Sequence, residues 1–292
     1  MAEKKYANFS ARIARWRIWF QTAFLFAWLG PFSTRIHTVC GPTFHCYSCP
    51  FATFACPIGV MANFSSLHLI PFLAIGTVLL TGALIGGFLC GWICPFGFFQ
   101  DLVGKIPTKK YKLPAWSGYL RYVILGVFVV WIPYELGKDH WGFICTLCPA
   151  GALEAALPSM GQAAINGDPV VWPSAVKLSI VGVLLGGMLF VQRPWCALLC
   201  PLGAIYGLTN YFSFLHLKVN KHTCTDCGLC KKTCKYGVDP RSKLDEQRCI
   251  RCLDCTKCGH VSASTVLMHN NQGKKSTASA SEETLVQIDS EK

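Results

Sequence analysis

The sequence predicts an all-α membrane domain of four transmembrane helices, set as two parallel repeats about a pseudo-twofold axis, followed by a small cysteine-rich α+β domain. Three observations predict it. The 292 residues are 52% hydrophobic and only 14% charged, against about 25% charged in soluble domains. Four apolar runs each come close to the ~20 residues that a helix needs to cross a bilayer. Eight of the eighteen cysteines fall between Cys224 and Cys258, beyond the last of those runs.

Residues 1–15 are a basic amino terminus carrying Lys4, Lys5, Arg12 and Arg15 against Glu3. Spans are expected at about 16–32, 69–89, 119–137 and 174–191, within a membrane domain at 16–217. Almost no charge falls inside them, which argues against buried helices of a soluble protein. The first run is followed by no small-residue cleavage site, so it reads as a retained anchor. The net charge of +12 would suit a nucleic-acid partner. However, the basic residues sit beside apolar runs, so the bilayer is the expected partner and nucleic acid is not. Lys105, Lys109, Lys110 and Lys112 lie between the second and third spans, with Arg121 at the start of the third, and Arg193 opens a basic segment after the fourth. Arg35 is alone between the first two spans, and Lys138 is the main cation between the last two. Positive residues stay inside, so both termini and the cysteine-rich domain at 218–268 are expected on the cytoplasmic side of the inner membrane. The tail at 269–292 is polar and rich in Ser, Thr and Glu, a composition of disordered segments.

The membrane domain repeats internally, about 16–105 and about 119–217. Cys90-Gly-Trp-Ile-Cys94-Pro recurs as Cys196-Ala-Leu-Leu-Cys200-Pro, at the inner end of an even-numbered span. Cys46-Tyr-Ser-Cys49-Pro recurs as Cys145-Thr-Leu-Cys148-Pro, on the outer side. A twofold axis along the membrane normal, as in parallel-repeat transporters, gathers Cys90, Cys94, Cys196 and Cys200 at the inner face. It gathers Cys46, Cys49, Cys145 and Cys148 at the outer face. In each motif Pro follows the last cysteine, and Pro is well placed at the first position of a helix. That puts each cysteine at a helix amino terminus, where the dipole favours thiolate. Packing of small apolar residues is the bland reading of such cysteines. A dithiol relay, a further metal centre and a structural clamp on the cluster domain are the functional ones. Cys40 and Cys56-Pro57-Ile58-Gly59 extend the outer set, where a cluster, a zinc site or disulfides all remain open.

The cysteine-rich stretch carries C-x2-C-x2-C-x3-C at Cys224, Cys227, Cys230 and Cys234, then C-x2-C-x2-C-x2-C at Cys249, Cys252, Cys255 and Cys258. Three cysteines three residues apart wrap three corners of a [4Fe–4S] cube, and the fourth of each run usually crosses to the other cluster. On that rule one cluster takes Cys224, Cys227, Cys230 and Cys258, and the other takes Cys249, Cys252, Cys255 and Cys234. Zinc competes for C-x2-C pairs, but zinc pairs are usually well separated. Lys235 and Gly259 stand where the bacterial pattern has Pro, and the second run is one residue short. His260 comes one residue too late for a C-x-x-C-H haem motif. His37, His45, His68 and His140 fall near the outer side, and Glu135, Asp139 and His140 cluster beside the third span. Such groups can take protons from a quinol or belong to a solvated loop.

The paired C-x3-C-P motifs, the four spans and the two-cluster, bacterial-ferredoxin-like carboxy terminus together resemble the NapH/MauN family over about residues 10–268. They also resemble the membrane parts of NosR and CcoG. The resemblance implies a quinol dehydrogenase subunit that takes electrons from the quinone pool. It would pass them to a ferredoxin-like or cytochrome-type redox partner of a respiratory chain. The outer cysteines Cys40, Cys46, Cys49, Cys56, Cys145 and Cys148 depart from the nitrate-reductase type and point to a distinct electron route. The competing reading is a metal- or thiol-reducing assembly factor that uses the membrane cysteine pairs. A third is a docking anchor whose basic cytoplasmic face receives acidic partners.

Overall fold

The computed structural model describes residues 2–29, 56–167, 169, 172–220, 224–242 and 246–265. Cys40, Cys46, Cys49, His37, His45 and the tail at 269–292 lie outside the described residues. Helix α1 (Ala2–Leu29) absorbs both the basic terminus and the start of the first apolar run. Then come α2 (Pro57–Ser66), α3 (Phe72–Ile85), α4 (Phe88–Trp92) and α5 (Pro95–Val103). Helix α6 (Trp116–Leu136) follows, and it is the described helix long and apolar enough to cross a membrane. Short helices α7 (Ile144–Leu147) and α8 (Pro149–Gly151) lead into α9 (Leu157–Asn166). The second half ends with α10 (Ala175–Phe190), α11 (Pro194–Leu198) and α12 (Pro201–Thr209).

The expected four spans of similar length are therefore not what the helices show. Helices α3 and α10 have 14 and 16 residues, about 21 and 24 Å at 1.5 Å per residue. The expected run at 69–89 is cut at Gly86, whose positive φ of 54° ends α3. The chain turns there because Arg251 Nη1 donates to Ile85 O (3.2 Å) and Gly87 N donates to Asn210 Oδ1 (2.8 Å). Helix α6 is itself irregular. Its middle, Leu125–Trp131, is π-helical, and Pro133, one turn on, lacks the N–H that Val129 O would otherwise receive.

The carboxy-terminal domain closes on a two-stranded antiparallel ribbon, β1 (Leu215–Val219) with β2 (Val261–Thr265), in register Leu217↔Ala263. Both cysteine runs lie between these strands, with helix α13 (Leu229–Thr233) inside the first. This domain and the helical domain share a core. Trp92, Leu217, Cys230, Leu253, Cys255 and Val261 form one buried cluster, with Ile13 and Ala14 of α1 packed against it.

Candidate functional site

The carboxy-terminal thiols are held by loops wound tightly around them. Asp226, Arg251 and Leu253 all adopt left-handed backbone (φ 52°, 49° and 63°), a cost of roughly 1–2 kcal/mol each. These turns aim successive cysteines inward. Cys234, Cys249, Cys252 and Cys255 line a single cavity. Cys255 lies within electrostatic reach of Cys252, Cys249, Cys234 and Cys258, and Cys230 within reach of Cys258. The structure thus brings the last cysteine of each run to the other run, even though Pro is absent after both. Gly259 (φ 79°) turns the chain into β2 instead. Burial pushes the Cys252 thiol up to about 12, and it raises Cys255 and Cys230 as well. Such thiols stay neutral unless a metal takes the proton's place. Exposed Cys227 is lowered, chiefly by the Leu229 backbone amide.

Among the described residues no three His, Cys, Asp or Glu side chains are gathered to hold a single metal ion. That applies to the carboxy-terminal cysteines as much as to the others. A tetrahedral zinc needs all its sulfurs at ~2.3 Å from one point. A four-iron cube carries each cysteine on a separate iron, so a spread set around a cavity fits it.

The helical-domain cysteines obey one local rule. Cys56, Cys94 and Cys200 are the N-caps of α2, α5 and α12, each with Pro next. Their Sγ atoms accept from Gly59, Gly97 and Gly203 N–H, each at 3.4 Å. Cys148 likewise caps α8, ahead of Pro149. Cys90, Cys94, Cys196 and Cys200 share one neighbourhood: Cys90 feels Cys196, and Cys200 feels Cys196, Cys90 and Cys94. Of the expected outer set, Cys145 and Cys148 are described. Cys148 packs on the Phe96, Leu184, Met188 and Trp195 core together with Cys94, Cys196 and Cys200. Cys56 and Cys145 pack near Leu202 and Ile205, just past Cys200. All three therefore pack close to residues that surround Cys200. Of the other candidates, His68 makes an edge contact with Tyr134, with ring centroids 4.4 Å apart. His140 accepts from Gly142 N (3.1 Å), while Glu135 and Asp139 are exposed. The histidines and carboxylates near α6 therefore form no shared site.

Sequence reasoning missed the polar seam that joins the two domains. Arg193 is 1% exposed and grips Asp101 through two bonds (2.8 and 2.6 Å) while donating to Cys90 O (2.6 Å). Arg17 pairs with the same carboxylate and also reaches Asp254 (3.5 Å). Burial would raise the Asp101 carboxyl, but Arg193 and Arg17 outweigh it and hold it below the usual range. Asn210 Nδ2 donates to Cys249 O (2.7 Å), and Trp92 Nε1 donates to Arg251 O (3.2 Å). At the centre the two backbones touch. A Cβ at Gly91 would collide with Ile250 O, and one at Gly87 would lie 2.6 Å from Cys249 O. The Cys90–Cys94 motif thereby lies directly on the Cys249–Cys252 loop. Tyr236 lines the thiol cavity and also a second cavity shared with Arg121, Arg193, Cys196 and Arg248. Its buried hydroxyl has no hydrogen-bond partner among the described residues. The only advance signal of this seam was a set of glycines close to Cys90, at Gly86, Gly87 and Gly91.

A family profile described as a 4Fe-4S binding domain matches the chain twice, over residues 67–114 and 175–222. The two segments correspond to the two halves of the internal repeat and carry the C-x3-C-P motifs. An uncharacterized protein of Methanocaldococcus jannaschii, MJ0750, is 32% identical over 59% of this chain and 68% of its own length. YccM of Escherichia coli is 27% identical over 68% of this chain and 55% of its own length. The ferredoxin-type protein NapH of Haemophilus influenzae is 28% identical over 58% of this chain. The match spans little more than half the length of YccM and NapH, at 55% and 56%. No solved structure matches.

Proposed function

Because the chain belongs to the family of ferredoxin-type membrane electron-transport proteins that includes NapH and MauN, we propose that it oxidises quinol at the inner side of the membrane and passes the electrons to a redox partner. That it is an iron–sulfur electron-transfer protein follows from the family. The finer reading is carried by one observation. The Cys90–Cys94 motif and the Cys249–Cys252 loop meet backbone to backbone across Gly87 and Gly91, a contact that supports an electron path between the helical domain and the carboxy-terminal thiols.

Two [4Fe–4S] clusters would be held by Cys224, Cys227, Cys230 and Cys258, and by Cys249, Cys252, Cys255 and Cys234. When bound they supply one-electron carriers whose potentials follow net charge, hydrogen bonding and exposure. The residues around them do the rest. Arg17, Arg193 and Arg251 place buried positive charge beside the second set, which stabilises thiolates out of water. Trp92, Leu253 and Val261 keep solvent from it. The cavity shared by Arg121, Arg193 and Tyr236 offers hydrogen-bond donors to a quinol head group next to Cys196. Oxidation there releases two electrons and two protons per quinol. The basic segments at 105–121 and after Arg193 put this cavity on the cytoplasmic side, and the basic surface suits an acidic redox partner.

The test is anaerobic. Purified protein with intact clusters is mixed with a menaquinol analogue, and cluster bleaching is followed by absorbance and EPR. Reduction within seconds is expected. Clusters that dithionite reduces but the quinol does not would defeat the quinol reading and leave the iron–sulfur assignment standing.

A further inference from the structure

We infer that the cavity between Arg121, Arg193, Lys235 and Tyr236 takes its quinol as the singly deprotonated anion, with the ionised oxygen held by cations and the ring against apolar walls. The inference rests on the quinol reading and adds which form of the substrate the site selects.

Charge comes first. Arg121, Arg193, Lys235 and Arg248 all line the cavity, and no carboxylate or imidazole does. Two of these cations are compensated from outside it, Arg193 by Asp101 and Arg248 by Glu246. Asp101 is itself shared with Arg17. Among the described residues no carboxylate pairs with Arg121 or Lys235. Arg121 is 3% exposed. Its Nη2 donates to Gln247 O (2.9 Å), and its guanidinium lies 5.4 Å from the centre of the Tyr122 ring. Both partners are neutral, and a cation taken out of water calls for an anion. Unused donors come second. Arg121 Nε and the Tyr236 hydroxyl are buried with no hydrogen-bond partner among the described residues, and both residues line this cavity. Burial pushes the Tyr236 phenol well above its usual range, so it keeps a hydrogen to donate. An anionic oxygen would accept from both, in bonds stronger than a neutral oxygen makes.

The walls narrow the choice of anion. Leu113, Val191, Ala197 and Ile250 complete the lining. A phosphate would leave them idle, whereas a planar ring with an ionised oxygen uses the apolar walls and the cations together. The missing base points the same way. A quinol bound neutral would find no carboxylate or imidazole in the lining to receive its proton. Bound as the anion, its first O–H bond is already broken. The electron pair stays on oxygen, and the proton passes to water beside exposed Lys235. The remaining titratable groups at the site are Tyr111 and Cys196 in the lining and Tyr122 next to Arg121. They come from the segment before α6, from α11 and from α6 itself, and none of them is a carboxylate.

The experiment uses the full chain with its clusters intact, in detergent, and a 2-hydroxy-1,4-naphthoquinone bearing an alkyl tail. The hydroxyl of this probe changes colour when it ionises. Binding and ionisation are read across pH from difference spectra against empty micelles, with no turnover. Wild type should bind the anion at least about tenfold more tightly than the neutral form, so the bound probe ionises about one pH unit or more below its value in micelles. Arg121→Gln and Lys235→Gln should each still bind the probe and lose most of that preference, while Arg121→Lys should keep it. EPR signals of the reduced clusters show that each variant has folded, and exposed Lys235→Gln carries the test if Arg121→Gln does not. Equal binding of the two forms would overturn the inference and leave the quinol reading standing. So would a preference unchanged in the glutamine variants. Binding of neither form would remove the quinol reading and the inference with it. Inorganic phosphate that binds where the probe does not would also overturn it, making this a phosphate site.

Discussion

Between Cys224 and Cys258 the thiols that belong together are three residues apart, and spacing alone nearly assigns them. Cys90, Cys94, Cys196 and Cys200 come from two halves of the chain and meet only when α3–α5 and α10–α12 pack. The first set is gathered by local turns, at Arg251 and Leu253, both in left-handed backbone. The second set is gathered by a buried ion pair, Arg193 with Asp101, that spans the two repeats. A local site tolerates a weak scaffold, whereas an assembled one fails when any distant support fails.

Substitutions that attack one set and spare the other break that comparison. The largest effect is expected for Cys234→Ser. It should remove one whole cluster, about four irons, and leave the EPR signal of the other. Loss of both clusters, or of neither, would refute the pairing of Cys234 with Cys249, Cys252 and Cys255.

Asp101→Ala strands fully buried Arg193 and should cost about 3–5 kcal/mol, read as a fall in thermal midpoint of the helical domain with the iron content of the carboxy-terminal pair retained. The same ion pair sets a pH dependence. Asp101 is held below its usual range, so its contribution is complete above the ordinary carboxylate pKa of about 4. It is lost only as pH falls through the lowered folded value. Circular-dichroism melts should therefore show this stability unchanged from neutral pH to about 5, and Asp101→Ala should remove that acid sensitivity.

Gly91→Val sharpens the comparison at the contact itself. The added side chain meets Ile250 O, so the loop has to move away. Electron arrival at the carboxy-terminal clusters from quinol should slow at least about tenfold, the effect of roughly 1.4 kcal/mol on a barrier, while dithionite reduction stays normal. An unchanged quinol rate would show that electrons do not cross at Gly91. Trp92→Phe is the mildest. It deletes the bond to Arg251 O and part of a buried ring, and should cost about 1–3 kcal/mol in a denaturant titration, with all iron present.

Much of the site was legible because its chemistry is periodic. C-x2-C-x2-C identifies cluster ligands, and C-x3-C-P repeated on apolar runs identifies a duplicated membrane motif. What escaped was carried by single polar residues with no pattern of their own. Arg193 reads as a topology cation in the sequence, yet it is 1% exposed and bonded to Asp101 and Cys90 O. Asn210 belongs to no motif, yet it fastens Gly87 to Cys249. Cys56, Cys145 and Cys148 read only as motif members, yet they pack close to the residues around Cys200.

The sequence by itself determined the apolar runs and the duplication, because these depend on composition and on neighbours a few residues away. The tertiary structure alone decided that α3 and α10 are short and that the Cys90–Cys94 segment rests on the Cys249–Cys252 loop. Those outcomes depend on backbone contact at Gly87 and Gly91 and on buried charge pairing between residues far apart in the chain. Neither leaves a periodic trace, because a contact of that kind needs only one small residue or one opposite charge on each side.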